Sequence, residues 1–286
     1  MNPFDATQRN VNIRRLDQLT NAGRNCVPYK TQFIDDNTIN LDLGDPIYRI
    51  FNLDNFRLTL RTQRLCLVRP SEWEDPFENF LLNSQGILPD GTRVGFSPIR
   101  DQYYGQCWTL RRECDGLWRN YRAAATAAIK VKTTVEKLMN AFYDLSNRFH
   151  ELSYFIGKVD YSTDEEIENF FQDELDILHF NSGVEFVQSL LIKRTSFDYE
   201  REVRIIFNKP VSDEIDLTTI HNPWDDTNHF LVQFDPNILI EEIEIDPWLS
   251  QPEFERLRDE FINLGYHGRI TQSTLYNRPF FVARIR

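Results

Sequence analysis

The chain is poor in the residues that mark disulfide-rich and metal-binding proteins. Its 286 residues contain four cysteines and five histidines, too few for a disulfide scaffold of this length. Cys107 and Cys114 are too far apart for a CxxC pair, and no two histidines have the spacing of zinc ligands. We therefore expect reduced thiols and no metal.

A long apolar run and an excess of positive charge are also missing. No apolar run approaches the ~20 residues that a membrane-spanning helix needs, and the polar N-terminal segment lacks the apolar stretch of a signal peptide. The formal net charge of −12 argues against nucleic-acid binding through overall charge, although local arginine clusters can still contact phosphates. We expect a cytoplasmic protein that does not bind membranes.

The composition predicts one large domain with a substantial core. Hydrophobic residues make up 41% of the chain and aromatic residues 13%, which suits a single core better than two equal ones. We expect residues 1–45 to be a polar N-terminal extension and residues 46–286 to be a single α+β domain. The aromatic content and the polar N-terminus are compatible with a partner protein or a homo-oligomer.

Hydrophobic periodicity and capping signals predict the order of the elements. The expected strands are 47–51, 65–68, 104–110, 128–133, 155–161, 199–207, 230–234, 238–245 and 280–285. The expected helices are 55–62, 116–128, 133–142, one starting at 163, 184–192 and 252–264, with a loop or hairpin in 84–102. This irregular alternation favours a mixed α+β fold of small, largely antiparallel sheets with flanking helices over a doubly wound parallel sheet.

The strand at 199–207 carries the strongest local signal for a site. Because side chains alternate along a strand, Glu200, Glu202 and Arg204 are predicted to share one face. Two neighbouring carboxylates destabilise each other unless a polar group lies between them, and the set would suit a ribose phosphate. The alternative is a solvated edge strand with one Glu–Arg ion pair.

Two further strands carry residues that suit a ligand. Arg49 lies in an apolar strand, where burial requires an anion, either a bound phosphate or a nearby acid. On the strand 104–110, Cys107 and Thr109 share one face and Trp108 points to the other. Trp108 could stack on a base or nicotinamide ring, but a core position is the commoner role. Cys107 has no histidine nearby in sequence to activate it as a nucleophile.

The proline-bounded segment 70–78 is dense in carboxylates, which are Glu72, Glu74, Asp75 and Glu78. Such density invites a metal hypothesis. Asp75 followed by Pro76 is also a helix-start or turn signal, with Asp75 as the cap. We favour the capping role.

These blocks resemble a known bacterial family. The matching stretches are IYRIF, RPSEWEDPFE, GQCWT with LWRNYR, FIGKVDY, LLIKRTSFDYEREVRI and ILIEEIEIDP. In this order they are similar to a bacterial domain of unknown function, numbered 2971, over roughly residues 45–285. That family has no established reaction, so the resemblance implies no mechanism.

The order of motifs is also similar, more distantly, to the ADP-ribosyltransferases of the Arg–Ser–Glu type. That likeness implies an ADP-ribosyltransferase-like core with NAD as substrate. It places Arg49 at the NAD phosphate or ribose and Thr109, within Cys107-Trp108-Thr109, at the nicotinamide pocket. We count their neighbours Tyr48 and Trp108 among the cofactor-binding residues. Glu202 would stabilise the oxocarbenium-like transition state.

In the same likeness, Glu200 would help to activate the acceptor. We add Arg204 to the cofactor-binding residues because it is predicted to share a strand face with Glu200 and Glu202. The middle motif departs from the pattern, since it reads Cys-Trp-Thr instead of Ser-Thr-Ser.

Three functions follow from these observations. The leading hypothesis is an enzyme that transfers ADP-ribose from NAD to a macromolecular or small acceptor, as a toxin or antiphage effector. The second is a non-catalytic module that binds a nucleotide or a protein. The third is a metal-dependent nuclease that uses the acids of 72–78 with Glu200 and Glu202.

Overall fold

The computed structural model describes residues 27–80, 82–87, 90–96, 100–123, 126–142, 154–173, 184–208 and 228–285. Its helices are α1 (Val27–Asp36), α2 (Leu53–Thr62), α3 (Asp115–Ala123), α4 (Val135–Phe142), α5 (Asp164–Asp173), α6 (Val184–Ser189), α7 (Pro236–Leu239) and α8 (Gln251–Asn263). Short 3-10 turns cover Pro70–Glu72 and Thr195–Glu200.

The strands are β1 (Thr38–Ile39), β2 (Pro46–Asn52), β3 (Arg64–Val68), β4 (Gln85–Ile87), β5 (Arg93–Gly95), β6 (Tyr103–Thr109), β7 (Ala128–Thr134), β8 (Tyr154–Lys158), β9 (Asp160–Ser162), β10 (Ile192–Arg194), β11 (Glu202–Asn208), β12 (His229–Gln233), β13 (Glu242–Ile245) and β14 (Arg269–Gln272).

Most strands join one sheet. Ten strands form it, in the order β1-β8-β11-β6-β2-β7-β13-β14, with β3 attached to β6 and β12 attached to β3. The pairs β4–β5 and β9–β10 form two small sheets. The pairings are antiparallel except at β1–β8, β9–β10 and β13–β14. The mixed, largely antiparallel α+β fold predicted from the sequence is confirmed.

The sheet forks along one edge of β6. On its other edge β6 pairs with β11 over its whole length. On the forked edge, Thr109 pairs with Tyr48 of β2, whereas Gly105 pairs with Val68 of β3. Since β2 and β6 share only this pair, main-chain groups of β6 near the fork need other partners.

The two faces of the sheet are covered differently. One face packs against α2, α4 and α8 through buried side chains such as Phe56, Leu138 and Phe261. On the other face, α3 covers part of β2 and β7 through Leu117 and Trp118, and α6 covers part of β8 and β11. Between these two covered regions the sheet face opens into a cleft.

Most predicted elements are present, and several differ in extent or type. The strand predicted at 199–207 begins only at Glu202, because Arg201 has a positive φ of 42° that interrupts extended backbone. Residues 155–161 form two strands, β8 and β9. The strand predicted at 238–245 is present only as β13, because Pro236 starts a short helix, capped by Asp235, that runs to Leu239. Residues 280–285, predicted as a strand, are exposed and lie outside any strand, and the strands β10 and β14 were missed.

The described part of the predicted N-terminal extension contributes regular structure. Helix α1 and strand β1 lie within it, and Ile34 and Ile39 are buried. Strand β1 pairs with β8 at the edge of the main sheet. The boundary at residue 45 stays a prediction. Among the described residues, no helix is both long and apolar enough to cross a membrane.

Candidate functional site

The cleft has a volume of about 700 Å³ and lies over the adjacent strands β2, β6 and β11. Helix α3 forms one wall through Asn120 and Tyr121. The segment 72–78 and the segment 193–200 form the opposite side. Ligand pockets commonly have volumes of roughly 300–1,000 Å³, so the cleft is large enough for a small-molecule ligand.

Register brings three of the predicted site residues side by side. Tyr48 pairs with Thr109, and Thr109 pairs with Glu202 on the opposite strand. Paired residues on neighbouring antiparallel strands have Cβ atoms about 4.5–5.5 Å apart. Residues more than 150 positions apart in the chain therefore meet in one row across the cleft.

Arg49 occupies the fork of the sheet. Its Nη1 donates to the main-chain oxygen of Cys107 at 2.6 Å, and its guanidinium lies over the Phe51 ring, 4.9 Å from the centroid. Its buried Nε has no hydrogen-bond partner. Among the described residues, no carboxylate forms an ion pair with Arg49. A half-buried guanidinium in this state favours an anionic ligand over the alternative of a structural ion pair.

Glu202 and Arg204 form a buried, two-pronged ion pair on one face of β11. Arg204 donates from Nε to Oε1 at 2.9 Å and from Nη2 to Oε2 at 3.0 Å. Burial opposes ionisation of Glu202, but Arg204 and Lys193 outweigh it and lower the pKa of Glu202 to about 2. Glu202 is therefore ionised at neutral pH, although it is only 3% exposed.

Lys193 lies between the carboxylates that the strand pattern predicts to repel each other. Its Nζ is 2.7 Å from Glu78, 2.7 Å from Glu200 and 3.1 Å from Glu202. Burial disfavours the charged lysine, but Glu202 and Glu78 raise its pKa above the ordinary value. Burial raises the pKa of Glu78, against the opposing effect of Arg204. Lys193 and the three carboxylates therefore form a charge-paired cluster with little access to solvent.

Glu200 reaches the cleft by a different route from the predicted one. It ends the 3-10 turn Thr195–Glu200 and does not belong to β11. Its main-chain oxygen accepts a hydrogen bond from the Thr109 hydroxyl, and the backbone then turns at Arg201. Its carboxylate nevertheless lies beside Glu202, because both bond to Lys193.

The other predicted cofactor-binding residues are placed unequally. Tyr48 lines the cleft and also a smaller cavity of about 230 Å³. Thr109 lines the cleft, but its hydroxyl donates a hydrogen bond to the main-chain oxygen of Glu200 and accepts one from the Arg111 amide. Trp108 is 3% exposed and belongs to the main core. Its indole N–H donates to Gln106, so little of the ring is open for stacking.

The position of Arg204 does not support the sequence prediction that it binds the cofactor. It is 0% exposed and is not part of the cleft wall. Besides Glu202 it contacts Glu78 at 3.2 Å and the main-chain oxygen of Leu190 at 2.6 Å, and its guanidinium lies over the Trp73 ring at 4.4 Å. All of these contacts are within the protein interior, so Arg204 holds the Glu202 carboxylate in place without lining the cleft itself.

Cys107 lines the cleft but is not suited to nucleophilic attack. Burial raises the pKa of its thiol well above the ordinary value, and the neighbouring Glu202 adds to that effect. The reactive form of cysteine is the thiolate.

The acidic segment 72–78 forms a turn that faces the cleft. Asp75 accepts a hydrogen bond from the Phe77 amide at 3.1 Å, so it caps a turn, which is one of the two structures that the sequence predicted. Its carboxylate also pairs with Arg194 at 2.9 Å. Arg194 and Lys193 thus neutralise the inner acids that the metal hypothesis would use. In the described ranges, no group of three His, Cys, Asp or Glu side chains could hold a metal ion.

Lys193, Arg194 and Tyr161 are site residues that the sequence reasoning missed. Tyr161 accepts a hydrogen bond from the Glu202 amide at 2.8 Å through its hydroxyl, and burial raises the pKa of that phenol to about 12. Of these three residues, only Lys193 could have been identified from the sequence. It follows the apolar run Leu190–Ile192, and a lysine that is buried there must be paired with an acid.

Comparison with known proteins gives only distant matches. No family model and no curated protein match the chain. Membership of the bacterial family named above therefore stays a prediction. Solved structures similar to the chain include DarT of Thermus sp. 2.9 in complex with NAD+, at 13% identity and a TM-score of 0.36, covering 82% of this chain and 98% of that one.

The same protein in complex with ADP-ribosylated single-stranded DNA matches at 12% identity and a TM-score of 0.37. That match covers 80% of this chain and 94% of the other. At these values the neighbours do not assign this chain to a family.

Proposed function

We propose that the cleft binds NAD and that the protein transfers ADP-ribose from it to a macromolecular or small acceptor. The observation that carries this proposal is the convergence of Arg49, Thr109 and Glu202 on one cleft. There the Arg49 guanidinium, which forms no ion pair with a carboxylate among the described residues, lines the same cleft as Glu200 and Glu202. We further propose that the protein acts as a toxin or defence effector, since modification of an essential acceptor would be harmful to a cell.

Arg49 would hold the pyrophosphate or a ribose of NAD. Its Nη1 is fixed by the Cys107 carbonyl, and the side chain lines the cleft. Charge-assisted hydrogen bonds from arginine to phosphate are short and directional. A dinucleotide anchored in this way has its reacting bond fixed relative to the opposite side of the cleft.

The carboxylates would act where positive charge develops. When the bond between nicotinamide and ribose breaks, its electron pair leaves with nicotinamide and the anomeric carbon becomes cationic. An ionised carboxylate nearby stabilises that charge. The acceptor nucleophile then bonds to the anomeric carbon and loses a proton, for which Glu200 is the more exposed base. Neither step needs a thiol or a metal ion.

Nicotinamide release tests the proposal directly. Purified protein is incubated with NAD, alone and with candidate protein, nucleic-acid and small-molecule acceptors, and nicotinamide and ADP-ribosylated products are measured. We expect release in the wild type and a loss of about 100-fold or more in Glu202→Gln, as for other removed electrostatic groups.

Glu260→Gln is the matched control, because Glu260 is an ion-paired acid on α8 that bonds to Arg57 outside the cleft. It should keep wild-type activity. A folded wild type that releases no nicotinamide with any acceptor would contradict the proposal.

The burial of Glu202 gives specific support to a second candidate, a module that binds a nucleotide without turnover. With its side chain 4% exposed and held by Arg204, Glu202 could serve only to keep the cleft in shape. That function predicts NAD binding in calorimetry without nicotinamide release. It also predicts an unchanged cellular phenotype when Glu200→Gln and Glu202→Gln are combined.

A further inference from the structure

Lys193 is saturated by its carboxylate neighbours. A lysine ammonium has three N–H donors and no acceptor. Glu78, Glu200 and Glu202 lie 2.7, 2.7 and 3.1 Å from Nζ, so one carboxylate is available for each donor. Although Lys193 lines the cleft, it has no N–H left for a phosphate. It differs in this respect from Arg49, whose Nε is unpartnered.

The three carboxylates are not equally open to the cleft. The Glu78 and Glu202 side chains are 7% and 4% exposed, whereas that of Glu200 is 19% exposed. Glu202 accepts two hydrogen bonds from Arg204 and one from Lys193. A carboxylate has about four acceptor positions, so little of Glu202 remains for a hydroxyl group of a ligand.

We infer that Lys193 is a positioning residue that holds Glu200 against the buried Glu202–Arg204 pair, and that Glu200 is the carboxylate presented to the ligand. The part of this inference that concerns catalysis by Glu200 rests on the proposed function. Its structural content, the dependence of Glu200 on Lys193, stands independently.

The backbone fixes Glu200 in the same place. Its main-chain oxygen accepts from the Thr109 hydroxyl, and Arg201 follows in the left-handed region. The ring of Phe197 lies 4.8 Å from Lys193 Nζ and shields the ammonium on another side. Without the lysine, three carboxylates would lie close together, and Arg204 would be their remaining buried cation. Because Glu200 is the most exposed of the three, it is the carboxylate that can move away.

Kinetic constants for NAD separate positioning from binding. In Lys193→Met we expect kcat for nicotinamide release to fall about tenfold or more, with KM for NAD within about threefold of wild type, as for an interaction needed only in the transition state. Lys193→Arg, which keeps the charge, should recover part of kcat. Lys130→Met is the matched control, since Lys130 is a buried lysine paired with Glu113 and Glu244 outside the cleft.

A double-mutant cycle gives a readout that does not depend on turnover. Lys193→Met should lower the midpoint of denaturant unfolding, and adding Glu200→Gln should recover part of that loss because one uncompensated carboxylate is removed. Lys130→Met combined with Glu200→Gln should be additive.

Additivity of Lys193→Met with Glu200→Gln would overturn the inference, and so would an unchanged kcat in Lys193→Met or a loss confined to KM. If wild type releases no nicotinamide, the proposed function fails, while the cycle still decides whether Lys193 holds Glu200.

Discussion

Arg49 donates a guanidinium N–H to the main-chain oxygen of Cys107 at 2.6 Å, at the fork where β2 and β6 separate. The side chain thus replaces a hydrogen bond that the sheet would otherwise supply. Arg49 lines the same cleft as Glu202. The fork is therefore part of the candidate site, because the space left where β2 and β6 no longer pair is occupied by the Arg49 side chain.

Replacement of Arg49 should weaken NAD binding more than it weakens the fold. Hydrogen bonds to a charged partner contribute about 1.5–3 kcal/mol, so Arg49→Met should lower NAD affinity about 10- to 100-fold. Calorimetry measures the affinity and denaturant unfolding measures stability. Arg57→Met is the control, since Arg57 pairs with Glu260 away from the cleft. An equal loss of affinity in both variants would argue against an anion site at Arg49.

Replacement of Arg204 should destabilise the protein strongly. Arg204 is fully buried and pairs with both Glu202 and Glu78. Breaking a buried ion pair by removing one partner costs about 3–5 kcal/mol. Arg204→Met should lower the free energy of unfolding by about that much in urea titrations. A loss below about 1 kcal/mol, the range of surface ion pairs, would show that the network is not tight.

The Glu202 carboxylate should make stability depend on acid pH. Its pKa falls from 4.5 to about 2 on folding, so the folded state favours the ionised form. The stabilisation is complete above pH 4.5 and is lost as the pH falls towards 2. A shift of this size corresponds to about 3 kcal/mol. Unfolding midpoints of wild type and Glu202→Gln should converge over that range, and a constant difference would contradict the assignment.

Gly105 should tolerate no side chain. A Cβ at this position would lie 2.6 Å from a ring carbon of Trp73, and Trp73 covers Arg204 and lines the cleft. Overpacking of this kind costs about 1–3 kcal/mol, so Gly105→Ala should lower the unfolding midpoint. At Gly44 nothing lies within 4 Å of the added Cβ, and Gly44→Ala should behave like wild type. Equal stability of both variants would disprove the close contact.

The Cys107 thiol should be inert in the native protein. Its pKa is raised by burial, so alkylation by iodoacetamide at pH 8 should be slow until the protein unfolds, as peptide mass spectrometry can measure. Cys107→Ser should keep nicotinamide release near the wild-type rate. Rapid native labelling of Cys107, or loss of turnover in a folded Cys107→Ser, would indicate a chemical role for the thiol.

The sequence by itself determined which residues alternate on each strand. The period of two put Cys107 and Thr109 on one face of β6, opposite Trp108, and put Glu202 on the same face of β11 as Arg204. It also determined the mixed α+β class, because capping boxes and short apolar runs are local signals. The Thr163–Glu166 box, for example, is present as predicted.

Only the tertiary structure decided what those faces meet. The insertion of Lys193 between Glu78, Glu200 and Glu202 joins three separate segments, and the burial of Arg204 depends on Leu190 and Trp73. Strand periodicity predicted Glu200 to lie on β11, whereas the turn at Arg201 places it on the preceding 3-10 turn. Charge pairing and exposure depend on contacts between residues distant in the chain, and a local pattern contains no information about which distant segment packs against it.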